Sequence, residues 1–153
     1  MPNTFTQIYI QFVFAVKFRQ SVIDITWKEQ LHKYITGIVQ NQGHKMIAIN
    51  SMPDHIHIFI GCKPHQSVSD LMRIVKGDSS EWINNQKLTP ALFRWQEGYG
   101  AFSYSLSQIS SVAKYIADQE KHHSRKTFLE EYKEFLDLFE IDYDEKYIFK
   151  PLE

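Results

Sequence analysis

Two β-rich runs in the middle of the chain constrain the fold more than any other feature of this sequence. The runs are KMIAIN (residues 45–50) and HIHIFIGC (residues 55–62), and only four residues, including Pro53 and Asp54, separate them. Pro and Asp favour a turn, and β-branched runs joined by a short turn form neighbouring antiparallel strands. The sequence therefore predicts a β-hairpin at the centre of the fold.

The segments on either side of the hairpin complete an order of elements that indicates a fold class. Residues 5–16 and 93–105 are rich in aromatic and β-branched side chains and predict two further strands, the second interrupted at Gly98 and Gly100. Helices are predicted at residues 26–42, 67–85, 108–123 and 127–142. The order β-α-β-β-α-β followed by two helices is the ferredoxin-like arrangement, an α+β fold with helices on the face of an antiparallel sheet.

Capping residues set the expected starts of these helices. Thr26 and Ser107 are the predicted N-caps of the first and third helices, Ser67 opens the second, and Thr127 with Glu130 opens the acidic last helix. On the first helix, the spacing predicts an apolar face that comprises Leu31, Tyr34, Ile35 and Ile38.

The composition is that of one globular domain, which we expect to span residues 1–153. Hydrophobic residues make up 43% of the chain, which is enough to bury a core. The one cysteine, Cys62, cannot form an internal disulfide, and we identify neither a signal peptide nor a run of ~20 apolar residues. These features predict a cytoplasmic protein that does not enter the membrane.

Charge is distributed unevenly along the chain. The formal net charge is −1, but residues 1–126 carry a balance of +5 and residues 127–153 a balance of −6. The acidic end masks a mildly basic body. The net charge therefore does not exclude a polyanionic partner such as nucleic acid.

Two pairs of polar residues are candidates for chemistry. His55 and His57 flank Ile56 on one strand, so both project from the same side of the sheet and can share a metal ion. Tyr115 and Gln119 lie one turn apart on the third helix. Taken alone, the first pair also fits two solvent-facing or hydrogen-bonded histidines, and Tyr115 also fits a tyrosine at the core edge with its hydroxyl in water.

Together with two further motifs, these pairs form a distinctive series. The motifs follow one another at residues 52–57 (MPDHIH), 76–77 (KG), 95–102 (WQEGYGAF) and 115–123 (YIADQEKHH). The series resembles the single-tyrosine HUH transposases of small bacterial insertion sequences and their relatives associated with repetitive extragenic palindromes. The resemblance extends over about residues 5–132, and the fold predicted above is the one that this family uses.

The resemblance implies a reaction and a role for each residue. His55, His57 and Gln119 would bind a divalent metal, and a neutral nitrogen and oxygen donor set suits Mg²⁺ or Mn²⁺. Tyr115 would attack a phosphate of single-stranded DNA at hairpin-marked element ends. The resulting 5′-phosphotyrosine intermediate lets a second 3′-hydroxyl rejoin the DNA without ATP. The family also implies a homodimer in which the tyrosine helix of one subunit completes the metal site of the other.

Basic and aromatic residues near these motifs are the predicted DNA contacts. The basic side chains would contact phosphates, and the aromatic ring would stack on a base. The predicted set comprises Arg73, Lys76, Arg94, Trp95, Lys121, Arg125 and Lys126. We interpret Asp54 mainly as a turn residue, with support of the histidine pair as a second role.

Three other functions stay open at this point. A domesticated relative would use the same residues on chromosomal palindromes, and only the DNA that flanks the gene would distinguish it. A regulator could keep the fold and bind nucleic acid without cleaving it. An unrelated metal-binding domain would require the matches at residues 95–102 and 115–123 to be coincidental.

Overall fold

The computed structural model describes residues 3–123 and 126–141. In chain order its strands and helices are β1 (Tyr9–Ala15), α1 (Lys28–Asn41), β2 (Lys45–Met52), β3 (His55–Gly61), α2 (Val68–Asn85), β4 (Gly100–Tyr104), α3 (Ile109–Ala117), α4 (Gln119–His123) and α5 (Phe128–Leu138). The predicted α+β class and its β-α-β-β-α-β order are confirmed. Among the residues described, no helix has the length and apolar character needed to span a membrane.

The four strands form one antiparallel sheet in the order β2-β3-β1-β4. The predicted hairpin is β2 with β3, and β3 lies inside the sheet with a hydrogen-bonded strand on each side. The register places His57 opposite Val13 of β1 and opposite Asn50 of β2. The histidine motif is therefore held on a rigid central strand.

One face of the sheet packs against α1 and α2 and forms the main hydrophobic core. Alternate residues of the two central strands point into it, as the two-residue period of a strand requires. These strand residues are at most 3% exposed, and they are Phe12, Phe14, Ile56, Ile58 and Ile60. We call this side the apolar face.

The opposite face packs against α3 and α5 and contains two smaller apolar clusters. One cluster joins Phe102 of β4 to Phe128 and Leu136 of α5, and the other joins Phe59 of β3 to Ile116 of α3. The same face also presents buried polar strand residues, which are Gln11, His55 and His57. We call this side the polar face, because it combines packing with a buried polar site.

The start of α1 differs from the prediction in both its cap and its buried side. The backbone N–H of Thr26 donates to Asp24 Oδ1 at 3.0 Å, and α1 begins only at Lys28. Thr26 as N-cap is therefore wrong, because the Asp24 side chain already forms an Asx turn with the backbone two residues on. His32 is buried, at 6% exposed, although the predicted apolar face did not include it. Tyr34, which the prediction placed on that face, is 37% exposed.

The predicted third helix is divided in two. At Asp118 the backbone departs from helical geometry (φ −94°, ψ 21°), so α3 ends at Ala117 and α4 begins at Gln119. The Asn50 side chain on β2 donates to the carbonyl of Ile116 at 2.9 Å, which ties the end of α3 to the sheet. This anchor fixes the position from which Gln119 projects.

The capping predictions are partly confirmed. Ser67 accepts the backbone N–H of Asp70 at the start of α2, and Thr127 forms a capping box with Glu130 at the start of α5. The predicted cap at Ser107 is wrong. Ser105 forms a capping box instead, at the one-turn 3-10 helix Leu106–Gln108 that leads into α3.

The fourth strand, β4, is shorter than the strand predicted at residues 93–105, and Gly98 and Gly100 explain where it begins. Gly98 has a φ of +83°, a left-handed conformation that disfavours any side chain. The strand starts two residues later at Gly100, where a Cβ atom would lie 2.7 Å from the Tyr132 ring of α5. Upstream, Trp95 makes only an isolated bridge to Val16. The glycines therefore serve a turn and a close helix–strand approach.

Candidate active site

The two histidines of β3 are buried on the polar face. His55 is 1% exposed and His57 is 0% exposed, and their ring centroids are 5.1 Å apart. Phe128 of α5 stacks on the His55 ring with centroids 4.0 Å apart, which closes the pair off from water. The alternative of two solvent-facing histidines is therefore wrong.

Each histidine has its Nδ1 atom fixed by an acceptor. His55 Nδ1 lies 2.7 Å from Asp54 Oδ1, and His57 Nδ1 lies 2.7 Å from Gln11 Oε1. Since a carboxylate and an amide oxygen can only accept, both Nδ1 atoms carry a hydrogen, and the Nε2 atoms are the ring nitrogens that face into the site. Asp54 thus supports the histidine pair, and Gln11 is a second such residue that sequence reasoning missed.

Tyr115 and Gln119 approach the histidines from the end of α3 and the start of α4. Gln119 is fully buried, and its Oε1 lies 3.4 Å from His55 Nε2. The Tyr115 ring is 6.1 Å from the His57 ring, edge to face. The structure therefore brings all four predicted site residues together, and it does so within a single chain.

A fifth residue, Glu131 of α5, lies at the centre of this group. It is 1% exposed, and its Oε1 lies 3.1 Å from His57 Nε2 and 3.6 Å from His55 Nε2. Its Oε2 accepts a hydrogen bond from the Tyr115 hydroxyl and another, at 3.3 Å, from Gln119 Nε2. Glu131 is thus in contact with every one of the four predicted residues.

Sequence reasoning missed Glu131 because its helix is acidic throughout and was interpreted as a solvated C-terminal helix. A signal was nevertheless present. Glu131 follows Phe128 by three residues and precedes Phe135 by four, a spacing that puts all three on one side of a helix. A carboxylate on the apolar stripe of an amphipathic helix is a buried acid, and buried acids need a partner.

Burial and the neighbouring carboxylate act on Tyr115 in the same direction. Loss of water raises the pKa of the Tyr115 hydroxyl well above its usual range, and the negative charge of Glu131 and its hydrogen bond raise it further. The phenol is therefore fully protonated near neutral pH. A phenolate at this position would need a neighbouring positive charge to form near neutral pH.

The donor atoms of the site fit a divalent cation. One ring nitrogen from each of His55 and His57 and an oxygen of Glu131 all lie within 4.8 Å of one another. Gln119 adds a neutral amide oxygen on the His55 side. Two neutral imidazoles, a carboxylate and an amide oxygen form a mixed nitrogen and oxygen set of the kind that binds divalent metals, and it contains no thiolate.

A cavity of about 400 Å³ opens beside the Tyr115 hydroxyl. It lies between α3 and α5, and its wall combines apolar with polar side chains. The lining includes Gln11, Tyr104, Val112, Glu134 and Phe135. The cavity gives the tyrosine a route to a ligand from outside the buried group.

Two of the predicted DNA contacts have structural partners instead. Trp95 is 8% exposed and its Nε1 donates to Ser79 Oγ at 2.9 Å, so it is a core residue and the expectation of an open stacking face is wrong. The Lys76 ammonium donates to the carbonyls of Gln96 and Gly98 at 2.6 and 2.7 Å. It holds the loop that precedes β4, and a contact with DNA stays a prediction for this residue.

The other predicted contacts lie at the surface or outside the described part of the chain. Arg94 and Lys121 are exposed. Arg73 is exposed and pairs with Asp70, and Lys126 pairs with Glu134. Arg125 lies outside the described residues.

Sequence comparisons agree with this geometry. Residues 4–119 match the family described as IS200-like transposases. The ISDra2 transposase TnpA of Deinococcus radiodurans is 25% identical to this chain over 118 residues, which are 74% of this chain and 84% of the relative.

Two solved structures share the fold. A crystal structure of a Deinococcus radiodurans R1 protein assigned as a transposase superimposes with a TM-score of 0.62 at 20% identity, covering 76% of this chain and 94% of that one. The structure of a REP-associated tyrosine transposase bound to a REP hairpin superimposes with a TM-score of 0.60 at 14% identity, covering 79% and 72%. At these identities the likeness establishes a common architecture.

Proposed function

The chain belongs to the IS200-like transposase family, and on that premise we propose that it cleaves and rejoins single-stranded DNA at hairpin-marked ends, with Tyr115 as nucleophile. One observation carries the proposal. The Tyr115 hydroxyl, the two histidine Nε2 atoms and the Gln119 amide oxygen converge on one buried point beside an open cavity. A tyrosine that only closes the edge of a hydrophobic core, with its hydroxyl in water, would not need buried histidine and glutamine side chains beside that hydroxyl.

In the proposed reaction Tyr115 attacks a phosphate of the DNA strand. The bond between Tyr115 Oη and phosphorus forms as the bond between phosphorus and the 3′ oxygen breaks. The phenol loses its proton and the departing 3′ oxygen gains one, so the step is neutral overall. Because the phosphoester is kept as a 5′-phosphotyrosine link, a second 3′-hydroxyl can reverse the step on another end without ATP.

His55, His57 and Gln119 are the proposed ligands of Mg²⁺ or Mn²⁺. When bound, the ion supplies positive charge to the phosphate oxygens and to the developing phenolate. The protein contributes orientation. Asp54 and Gln11 hold the Nδ1 hydrogens of the two imidazoles, so both Nε2 atoms are available as ligands.

Hairpin DNA is the proposed partner. Support comes from a fold neighbour whose structure is bound to a REP hairpin and from the +5 charge balance of residues 1–126. The homodimer stays a proposal as well. Tyr115 and Gln119 already reach the histidines of their own chain, so an exchange of tyrosine helices would replace these contacts with equivalent ones from a partner.

The test is an adduct assay on single-stranded oligonucleotides tiled across both flanks of the gene. The wild-type chain with Mn²⁺ should yield a protein–DNA adduct that survives a denaturing gel, and Tyr115→Phe should yield none while still binding the same DNA. Tyr34→Phe, on the far side of the molecule, is the matched control and should behave as wild type. An adduct formed by Tyr115→Phe contradicts the nucleophile assignment.

The same assay separates the other functions. Tight binding to a flanking hairpin without any adduct would favour a regulator that does not cleave. When oligonucleotides from chromosomal palindromes outside these flanks are added to the assay, an adduct that forms only on them would favour a domesticated relative. Failure of duplex DNA to form the adduct is expected, since the proposed substrate is single-stranded.

A further inference from the structure

The contacts of Glu131 give this residue a place in the site that the family resemblance did not include. We propose that Glu131 is a bridging carboxylate, whose Oε1 completes the metal site with His55 and His57 while its Oε2 holds the Tyr115 hydroxyl in position. The inference rests on the proposed function for the role of Tyr115. It adds a ligand and a positioning residue contributed by α5.

The Glu131 carboxylate is buried beside two imidazole nitrogens. Its Oε1 lies 3.6 Å from His55 Nε2 and 3.1 Å from His57 Nε2, and the Nδ1 atoms of both rings are held by other acceptors. A buried carboxylate needs a neighbouring positive charge or hydrogen-bond donors. A divalent ion bound by the three atoms would supply that charge and would use the Nε2 atoms of both histidines.

The spacing of the donor atoms also fits one ion. Divalent ions bind nitrogen and oxygen ligands at about 2.1 Å, so two ligands lie about 3.0 Å apart at a right angle and about 3.4 Å apart at a tetrahedral angle. The separations between Glu131 Oε1 and the Nε2 atoms of His57 and His55 are 3.1 and 3.6 Å, and Gln119 Oε1 lies 3.4 Å from His55 Nε2. These three separations match those between ligands of a single ion.

The same carboxylate contacts the proposed nucleophile. Glu131 Oε2 is the acceptor of the Tyr115 hydroxyl hydrogen bond, and it also accepts from Gln119 Nε2. One carboxylate thus joins the metal position to the hydroxyl that must face the phosphate. The hydrogen bond to Glu131 fixes the direction of the hydroxyl at the cavity wall.

The experiment compares Glu131→Gln with Asp137→Asn in the full-length protein. Both changes remove one negative charge from α5, but Asp137 is exposed and does not line the cavity beside Tyr115. Manganese binding is measured by electron paramagnetic resonance without DNA. Glu131→Gln should weaken Mn²⁺ binding at least tenfold, within the ~10–100-fold range typical of lost metal-site partners, whereas Asp137→Asn should change it less than twofold.

Adduct formation gives the second readout. At Mn²⁺ concentrations that saturate each variant, Glu131→Gln should still form the adduct more slowly than wild type, because Tyr115 has lost its fixed acceptor. Glu131→Asp keeps the charge and should recover part of the Mn²⁺ affinity. Circular dichroism confirms that each variant is folded before either readout is taken.

The outcomes separate this inference from the proposed function. Unchanged Mn²⁺ affinity and an unchanged saturated rate in Glu131→Gln would overturn the inference while the adduct itself still supports Tyr115. A faster saturated rate would also overturn it, since Glu131 would then block the nucleophile. If the wild type forms no adduct on any DNA but Mn²⁺ binding depends on Glu131, the result supports Glu131 as a metal ligand and contradicts the proposed function.

Discussion

The two faces of the sheet use the same strands for opposite purposes. Along β3, residues 56, 58 and 60 are isoleucines that pack against α1 and α2, whereas His55 and His57 point to the other side and meet α3, α4 and α5. The apolar face is one large continuous cluster. The polar face divides its apolar contacts between two small clusters and buries a network of hydrogen-bonded polar groups.

This division separates stability from chemistry. Apolar burial stabilises the fold roughly in proportion to area, whereas buried polar groups only recover the desolvation cost when their hydrogen bonds are made. The apolar face therefore holds the sheet rigid. The polar face can bury a site of polar side chains because packing on the apolar side of the same strands already stabilises the sheet.

The strongest test of this separation uses adjacent residues of β3. Ile58→Ala removes a fully buried side chain from the apolar face and should lower the free energy of unfolding by ~2–5 kcal/mol, measured by urea denaturation. At a temperature where the variant is folded, its Mn²⁺ affinity and its adduct yield should stay within about twofold of wild type.

His57→Ala is the counterpart one residue earlier. It should abolish the adduct and weaken Mn²⁺ binding, because it removes a proposed metal ligand that Gln11 and Glu131 contact. If Ile58→Ala lost Mn²⁺ affinity in the folded state, or if His57→Ala kept it, the two faces would not be separable in this way.

The outline of the fold was predictable because its signals are local. The hairpin turn, the caps at Ser67 and Thr127 and the two-residue period of β3 each depend on a few neighbouring residues. The same period placed His55 and His57 on one side. Recognition of a motif series then grouped these histidines with Tyr115 and Gln119.

The remaining site residues could not be predicted because their roles depend on tertiary contacts. Gln11 reaches His57 across neighbouring strands, 46 residues apart in sequence, and Glu131 reaches it 74 residues away. Trp95 illustrates the opposite error: an aromatic residue near basic ones suggested base stacking, but its partner Ser79 lies on a helix that covers the apolar face. Local sequence does not contain such pairings.

A pH titration sharpens the comparison, because α1, which packs on the apolar face, contains a buried histidine. His32 of α1 bonds to Ser51 Oγ at 2.8 Å, and burial lowers the pKa of its imidazole to about 4, despite Glu29 nearby. In the unfolded chain the pKa is ~6.5, so as pH falls from 6.5 towards 4 the unfolded state binds a proton that the folded state does not. Stability should therefore fall over this range, by on the order of 2–3 kcal/mol at pH 4.

The contribution of His32 is isolated by substitution. His32→Gln should flatten the dependence of the urea midpoint on pH between 6.5 and 4. A slope that persists in His32→Gln would assign the acid sensitivity to other titratable groups.

The smallest change tests how α5 is held against the sheet. A Cβ atom at Gly100 would lie 2.7 Å from the Tyr132 ring and 2.9 Å from the Phe102 ring, so Gly100→Ala must displace side chains of the polar face. We expect a loss of ~1–3 kcal/mol, as for other overpacked sites. Because Tyr132 adjoins Glu131 on α5, Mn²⁺ affinity should fall as well.

Gly77→Ala is the matched control, because Gly77 lies on an exposed side of α2 with no atom within 4 Å of the added methyl group. In a helix interior this change should stabilise by up to ~1 kcal/mol and leave Mn²⁺ binding unaltered. Loss of stability with intact Mn²⁺ affinity in Gly100→Ala would mean that α5 packs against the sheet without positioning Glu131. Loss of both stability and Mn²⁺ affinity in Gly100→Ala would mean that the close packing of α5 on β4 at Gly100 positions the Glu131 carboxylate. On the polar face, unlike the apolar face, side-chain packing would then affect metal binding directly.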